Sequence, residues 1–188
     1  MEHETIHIPG VVLVTPDRHW DERGLFCELY NAHQTANIEI PPMDVKQLNV
    51  SRSKKNVLRG LHFQRLRPQA KLVTVLAGSV FDVVVDLRKD SPAFGSYACF
   101  PLSAENGKTL FIPAGCAHGF LSLADNTLFC YLCDDTYSGP EDQSGVRWND
   151  CTLDIPWPVR NPIVSSKDQQ LLSFRELHPA DLPFTVSR

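Results

Sequence analysis

The sequence predicts an all-β barrel. Short runs rich in Val, Ile, Phe and Thr follow one another at short intervals, and Gly, Pro, Asn and Asp punctuate the gaps. Helical periodicity is nearly missing before residue 165. Seven or more short strands in that pattern describe a barrel or a sandwich. The 188 residues suffice for a single domain over 1–188 with a real core and are few for two.

Each element follows from local pattern. Ile6–Thr15 reads as strand around a Pro9-Gly10 turn. Asp17–Gly24 is polar and turn-like, and Leu25–Tyr30 returns to strand. A short helix is expected over Asn31–Asn37, stopped by Pro41-Pro42. Val45–Ser51 alternates, with Lys46, Leu48 and Val50 on one face and Gln47, Asn49 and Ser51 on the other. Those three polar groups either meet water or line a polar pocket.

Val57–Gln64 is strand with Gly60 inside it, which marks a bulge or a close backbone approach. Arg59 and His62 differ by three positions, so a flat strand sends them to opposite faces. A bulge at Gly60 turns both toward one cavity. Lys71–Ala77, Gly78-Ser79 and Val80–Arg88 read as a hairpin, with Asp82 and Asp86 on one face; a solvated strand face is one reading of the pair, more so for Asp86 than for Asp82. Asp90–Gly95 is a turn, Tyr97–Leu102 strand, Ser103–Lys108 loop and Thr109–Pro113 strand. Gly119–Leu123 and Thr127–Leu132 read as another hairpin across Ala124–Asn126. From Tyr137 the chain is rich in Pro and Asp and is expected to wrap the outside. Ser166 caps a short helix through Leu172, 173–188 form a peripheral tail, and about the last dozen residues are expected to be loosely held.

The net charge is −4 and the pI about 5.9, with no basic run, which argues against nucleic acid as a partner. No apolar stretch reaches the length of a bilayer span, and Met1–Thr5 lacks the basic start of a signal peptide. A cytoplasmic protein without membrane contact is expected. Six cysteines are then free thiols. Cys130 and Cys133 lie three apart on an alternating strand and point to opposite faces, which fits structural thiols better than half of a zinc site.

Gly107-x5-Pro113-x-Gly115-x2-His118 resembles the second half of the cupin signature. The resemblance implies a double-stranded β-helix (cupin, or jelly-roll, barrel) with a few short peripheral helices and His118 facing the interior. The metal-binding first half of that signature is missing. His62 is followed by Phe63-Gln64, and no Glu occurs between it and Glu105. Two histidines leave a divalent metal under-ligated, so neither a metal nor another cofactor is expected. His62, His118, Lys71, Arg59 and Tyr131 remain as inward candidates. A base, an oxyanion stabiliser and a phenolic acid suit proton abstraction next to a carbonyl, followed by reprotonation.

The ordered set of motifs then resembles the dTDP-4-dehydrorhamnose 3,5-epimerase family. It runs through Asp21-Glu-Arg-Gly24 with Phe26 and Glu28, Gln47-x-Asn49-x-Ser51, Leu58-Arg-Gly-Leu-His62-x-Gln64 and Lys71-Leu-Val73. It continues through Val80-Phe-Asp-Val83, Asp86-x-Arg88, Ala117-His-Gly-Phe-Leu121, Trp148-Asn-Asp150, Ile155-Pro-Trp-Pro158 and Ser166-Lys-Asp168. The resemblance implies that His62 removes protons alpha to a 4-keto group at carbons 3 and 5 of the sugar. It makes Asp168 the partner of His62, Lys71 the holder of the enolate oxygen and Tyr131 the acid on the opposite face. His118 and Asp82 lie near the sugar in this reading. Arg23, Phe26, Glu28, Gln47, Asn49, Arg59 and Lys167 grip the nucleotide and diphosphate, with Tyr137 near the base. The implied substrate is a nucleotide-diphosphate sugar. The implied assembly is a homodimer whose contact uses residues of about 1–50, the Arg23–Glu28 segment reaching into the partner's site. Two departures stand out: Pro68-Gln-Ala-Lys71 is trimmed by one residue, and Glu141–Gly145 carries an extra residue and reads Gln143-Ser144. An epimerase of a different nucleotide sugar or at one carbon only, a ketoisomerase, a metal-dependent cupin and a non-catalytic sugar-nucleotide binder remain as alternatives. His3, His7, His19, His33 and His178 read as ordinary histidines.

Overall fold

The computed structural model describes residues 2–35, 37, 38 and 40–183. Its strands, in chain order, are β1 (Glu2–Thr5), β2 (Val12–Thr15), β3 (Arg18–Asp21), β4 (Gly24–Cys27), β5 (Gln47–Ser53), β6 (Val57–Gln64) and β7 (Lys71–Ala77). They continue as β8 (Ser79–Asp86), β9 (Tyr97–Ser103), β10 (Thr109–Ile112), β11 (Cys116–Ser122), β12 (Thr127–Cys133), β13 (Gln143–Gly145) and β14 (Ile163–Val164). Helices α1 (Ala32–Thr35) and α2 (Ser166–Gln169) are single turns, and a 3-10 turn spans Phe174–Glu176.

Among the described residues, a first sheet has the order β1-β2-β10-β7-β12-β5 and a second the order β13-β6-β11-β8-β9, with β14 beside β6. The main core lies between them. Leu13, Val73, Val75, Leu110 and Phe129 from the first sheet meet Val80, Val84, Phe100, Leu102 and Phe120 from the second. Sheet strands bury alternate residues, so each sheet has a second face to cover. Ile38, Ile40 and Met43 cover the first sheet over Val12, Val14, Leu72 and Phe111. Val146, Leu153, Ile155 and Leu182 cover the second over Leu61, Phe63, Val83 and Val85. The expected outer wrap by the Pro-rich chain after Tyr137 is therefore present. The tail differs from expectation, because Leu182 is buried in that layer; residues 184–188 of the tail lie outside the described residues.

Several local expectations are corrected. Asp17–Gly24 is not merely turn-like: β3 occupies Arg18–Asp21 and pairs antiparallel with β4. Neither expected hairpin is one. β7 pairs β10 and β12, whereas β8 pairs β9 and β11, so the Gly78 turn carries the chain from one sheet to the other. The turn at Asn126 does the same between β11 and β12. A tight turn and two β-runs look alike in sequence whether the runs pair or face each other. The helix cap is Ser165, one residue earlier than expected, and accepts from the Asp168 N–H. Asp82 and Asp86 share the inward face of β8 and are both fully buried, because β8 is covered on both sides.

Candidate active site

Gly60 organises the site wall. On β11, His118 faces His62 and Phe120 faces Arg59, so β6 holds one residue more than its partner over this interval. That is the expected bulge. Gly60 has φ +111°, and a Cβ there would lie 2.7 Å from both Gly119 Cα and His118 O. No side chain fits between these two backbones. With the extra residue absorbed, Arg59 and His62 line the same cavity.

That cavity has a volume of about 750 Å³ and opens between the sheets. His62 enters from the second sheet, and Lys71 and Tyr131 enter from the first. Gln47, Asn49 and Ser51 line it from β5, which settles their face as pocket rather than water, while Leu48 and Val50 on the other face are 62% and 57% exposed. His118, Tyr137, Lys167 and Asp168 also line it.

His62 Nε2 lies 2.7 Å from Asp168 Oδ1, and the Gly60 N–H donates to Oδ2 at 3.3 Å. With its Nε2–H given to the carboxylate, His62 keeps its basic lone pair on Nδ1. Burial pushes the Asp168 carboxyl up, but hydrogen bonds and charge from His62, with the Gly60 N–H and Ser165 hydroxyl, hold it below the usual range. Lys71 is 8% exposed, and its Nζ donates to Gln64 Oε1 at 3.0 Å. Burial pulls its ammonium below the ordinary lysine value. The same effect raises the Tyr131 phenol, which stays protonated as a proton donor must.

A second His–carboxylate pair joins His118 Nε2 to Asp82 Oδ2 at 2.8 Å, with the His118 ring stacked on Phe129. Burial raises the Asp82 carboxyl, against the pull of His118, and Asp82 Oδ1 has no hydrogen-bond partner. Arg59 is anchored by Ser53 Oγ at 3.1 Å, and Lys167 donates to Gln143 Oε1 at 2.7 Å. Gln47 accepts from the Tyr137 N–H at 2.7 Å and donates to Asn49 at 2.9 Å. Among the described residues no three His, Cys, Asp or Glu side chains gather where a metal ion could sit.

Four expected site residues do not line the cavity of their own chain: Asp82, fully buried and bonded to His118, and three on the ribbon. Arg23, Phe26 and Glu28 ride on the β3–β4 ribbon, whose strands pair only with each other, and none lines the cavity of its own chain. Arg23 is held by Asp21 and its side chain is 90% exposed, Phe26 is 66% exposed, and Glu28 accepts from Asn31. Conversely, Gln64, Cys133 and Gln143 line the cavity without having been assigned a role. Period 2 offered a signal for two of them: Gln64 follows His62, and Cys133 follows Tyr131, by two positions on the same strand.

Comparison with known proteins agrees with this geometry. A sequence profile of the dTDP-4-dehydrorhamnose 3,5-epimerase family matches residues 5–176. The chain belongs to that family. It is 43% identical to the dTDP-4-dehydrorhamnose 3,5-epimerase of Methanothermobacter thermautotrophicus, over 90% of this chain and 92% of that one. Its fold matches the dTDP-6-deoxy-D-glucose-3,5-epimerase of Legionella pneumophila, solved with dTDP-4-keto-L-rhamnose, with a TM-score of 0.93, 37% identity and 99% of each chain covered. It is also 37% identical to the dTDP-4-dehydrorhamnose 3-epimerase of Streptomyces niveus, over 97% of this chain and 88% of that one. The protein is thus an isomerase of the epimerase type on a cupin-like jelly roll, acting on a nucleotide sugar. No helix among the described residues is long and apolar enough to cross a membrane.

Proposed function

We propose that the chain converts dTDP-4-dehydro-6-deoxy-glucose to dTDP-4-dehydro-rhamnose by inverting carbons 3 and 5. The observation that carries the mechanism is the oriented His62–Asp168 pair sharing one cavity with Lys71 and Tyr131. His62 takes the proton alpha to the 4-keto group, and the electron pair of the broken C–H bond moves to the ketone oxygen. Lys71 donates to that oxyanion. Tyr131, on the opposing sheet, gives its phenolic proton to the other face of the carbon, which inverts it. Solvent then reprotonates Tyr131 and takes the proton from His62. Asp168 stabilises the imidazolium in between.

His118 lies near the sugar with Asp82 behind it, and Gln47, Asn49, Arg59, Lys167 and Tyr137 take the nucleotide and diphosphate. Arginine suits that role because its fork makes charge-assisted bonds to phosphate oxygens. Arg23, Phe26 and Glu28 complete the nucleotide site of a second copy in a homodimer. Support for the dimer comes from the exposed apolar side chains Trp20, Phe26, Leu48 and Val50, a surface that association would cover. All six cysteines are free thiols, the state a reducing compartment maintains, and we place the enzyme in the cytoplasm.

A one-carbon epimerase is the second reading, favoured by the likeness to the Streptomyces niveus 3-epimerase. Turnover in D2O distinguishes the two. Deuterium at carbons 3 and 5 with a rhamno-configured product is expected; deuterium at carbon 3 alone selects the second reading. No wash-in, or unchanged wash-in by His62→Ala, overturns the mechanism.

A further inference from the structure

We propose that Gln64 is a positioning residue for Lys71, holding the ammonium charged and aimed at the place where the enolate oxygen forms. The proposal rests on the oxyanion role given to Lys71 above. Gln64 sits at the end of β6, two residues beyond His62 and on the same face. It is 7% exposed, and its Oε1 accepts from Lys71 Nζ at 3.0 Å across the gap between the two sheets. The base and the acceptor that steadies the oxyanion group thus stand on one rigid strand. A buried ammonium without an acceptor gives up its proton readily. A neutral lysine cannot stabilise an enolate as a charge, so an uncharged acceptor is needed that neither quenches the ammonium nor lets it wander. An amide oxygen meets both conditions, and a carboxylate would compete with the enolate for the charge.

The other groups acting on Lys71 are Cys133 and Asp134 at the end of β12 and Cys116 at the start of β11. His62, His118 and Tyr131 share its cavity, as do Arg59, Lys167 and Asp168. Gln64 Oε1 accepts directly from Nζ at 3.0 Å.

The test compares Gln64→Leu, Gln64→Asn, Gln64→Glu and Lys71→Met by kcat/KM against pH, with NMR titration of the 13C-labelled Lys71 side chain in the free enzyme. Removing the acceptor is expected to lower kcat by about ten- to a hundredfold, as loss of a hydrogen bond to a charged group does. In Gln64→Leu and in Gln64→Asn, whose amide is too short, the alkaline limb and the NMR midpoint move together to lower pH. In Gln64→Glu both move to higher pH. Added to Lys71→Met, Gln64→Leu should cost little more. Unmoved midpoints in both Gln64→Asn and Gln64→Glu overturn the proposal, while an active Lys71→Met overturns the oxyanion role itself, so the two failures are told apart. If Gln64→Leu does not fold, the Asn and Glu variants decide.

Discussion

Asp168 does two things at the residue scale: it orients His62 through Oδ1 and accepts the Gly60 N–H through Oδ2. Asp168→Asn preserves shape but presents an amide to the imidazole, so the protonated base loses its counter-charge. A fall in kcat of about 10²–10⁴ is expected, within the range of general acid–base contributions, read by the rate of deuterium wash-in. The carboxyl also links folding to pH. Its folded pKa lies below the ordinary 3.8, so its contribution to stability is complete above pH 3.8 and is lost as pH falls through the folded value. Asp82 has the opposite sign. Its folded pKa is raised above 3.8, so its contribution is complete below that pH and is lost as pH rises through the folded value. Urea midpoints from pH 4 to 8 should therefore fall for the wild type relative to Asp82→Asn. Parallel curves would show that the carboxyl does not titrate in that window.

At the scale of the element, β6 is the strand whose bulge puts Arg59 and His62 in one cavity. Gly60→Ala would place a methyl group 2.7 Å from two backbone atoms of β11, at a φ that L-residues avoid. A loss of roughly 2 kcal/mol or more is expected, measured by urea unfolding, with kcat lost beyond what the unfolded fraction explains. This element was legible in sequence, because a glycine inside a β-run between an Arg and a His has few other uses. The crossovers at Gly78 and Asn126 were not. Turn chemistry records that the chain reverses but not whether the two strands bond edge to edge or face each other across a core. The buried state of Asp82 and Asp86 was hidden for the same reason, since it depends on which sheets flank β8. The polar face of β5 was legible as a pair of alternatives, and only the position of β5 at the cavity chose between them.

For the whole molecule, the β3–β4 ribbon leaves Arg23, Phe26 and Glu28 outside their own cavity, and the proposed shared-site dimer would give them a use. Leu48→Glu with Val50→Glu should convert dimer to monomer in sedimentation and remove activity, because charges cannot be buried at an apolar contact without partners. Mixing unfolded Arg23→Ala with unfolded His62→Ala chains and refolding them together tests site sharing. Mixed dimers hold one intact site, so about a quarter of wild-type activity should return for random pairing. No recovery would mean that each chain supplies its own Arg23. The order of motifs along the chain carried the family and the residues that meet in the cavity, whereas the pairing of the ribbon with itself alone was not legible, because which strands a ribbon joins is set by residues far away in the chain.

The base and its carboxylate are 106 residues apart in the chain. Asp168 comes after both sheets have been written out, on a helical turn that follows β14. A chain emerging from the ribosome could therefore assemble every barrel strand and still lack an oriented base.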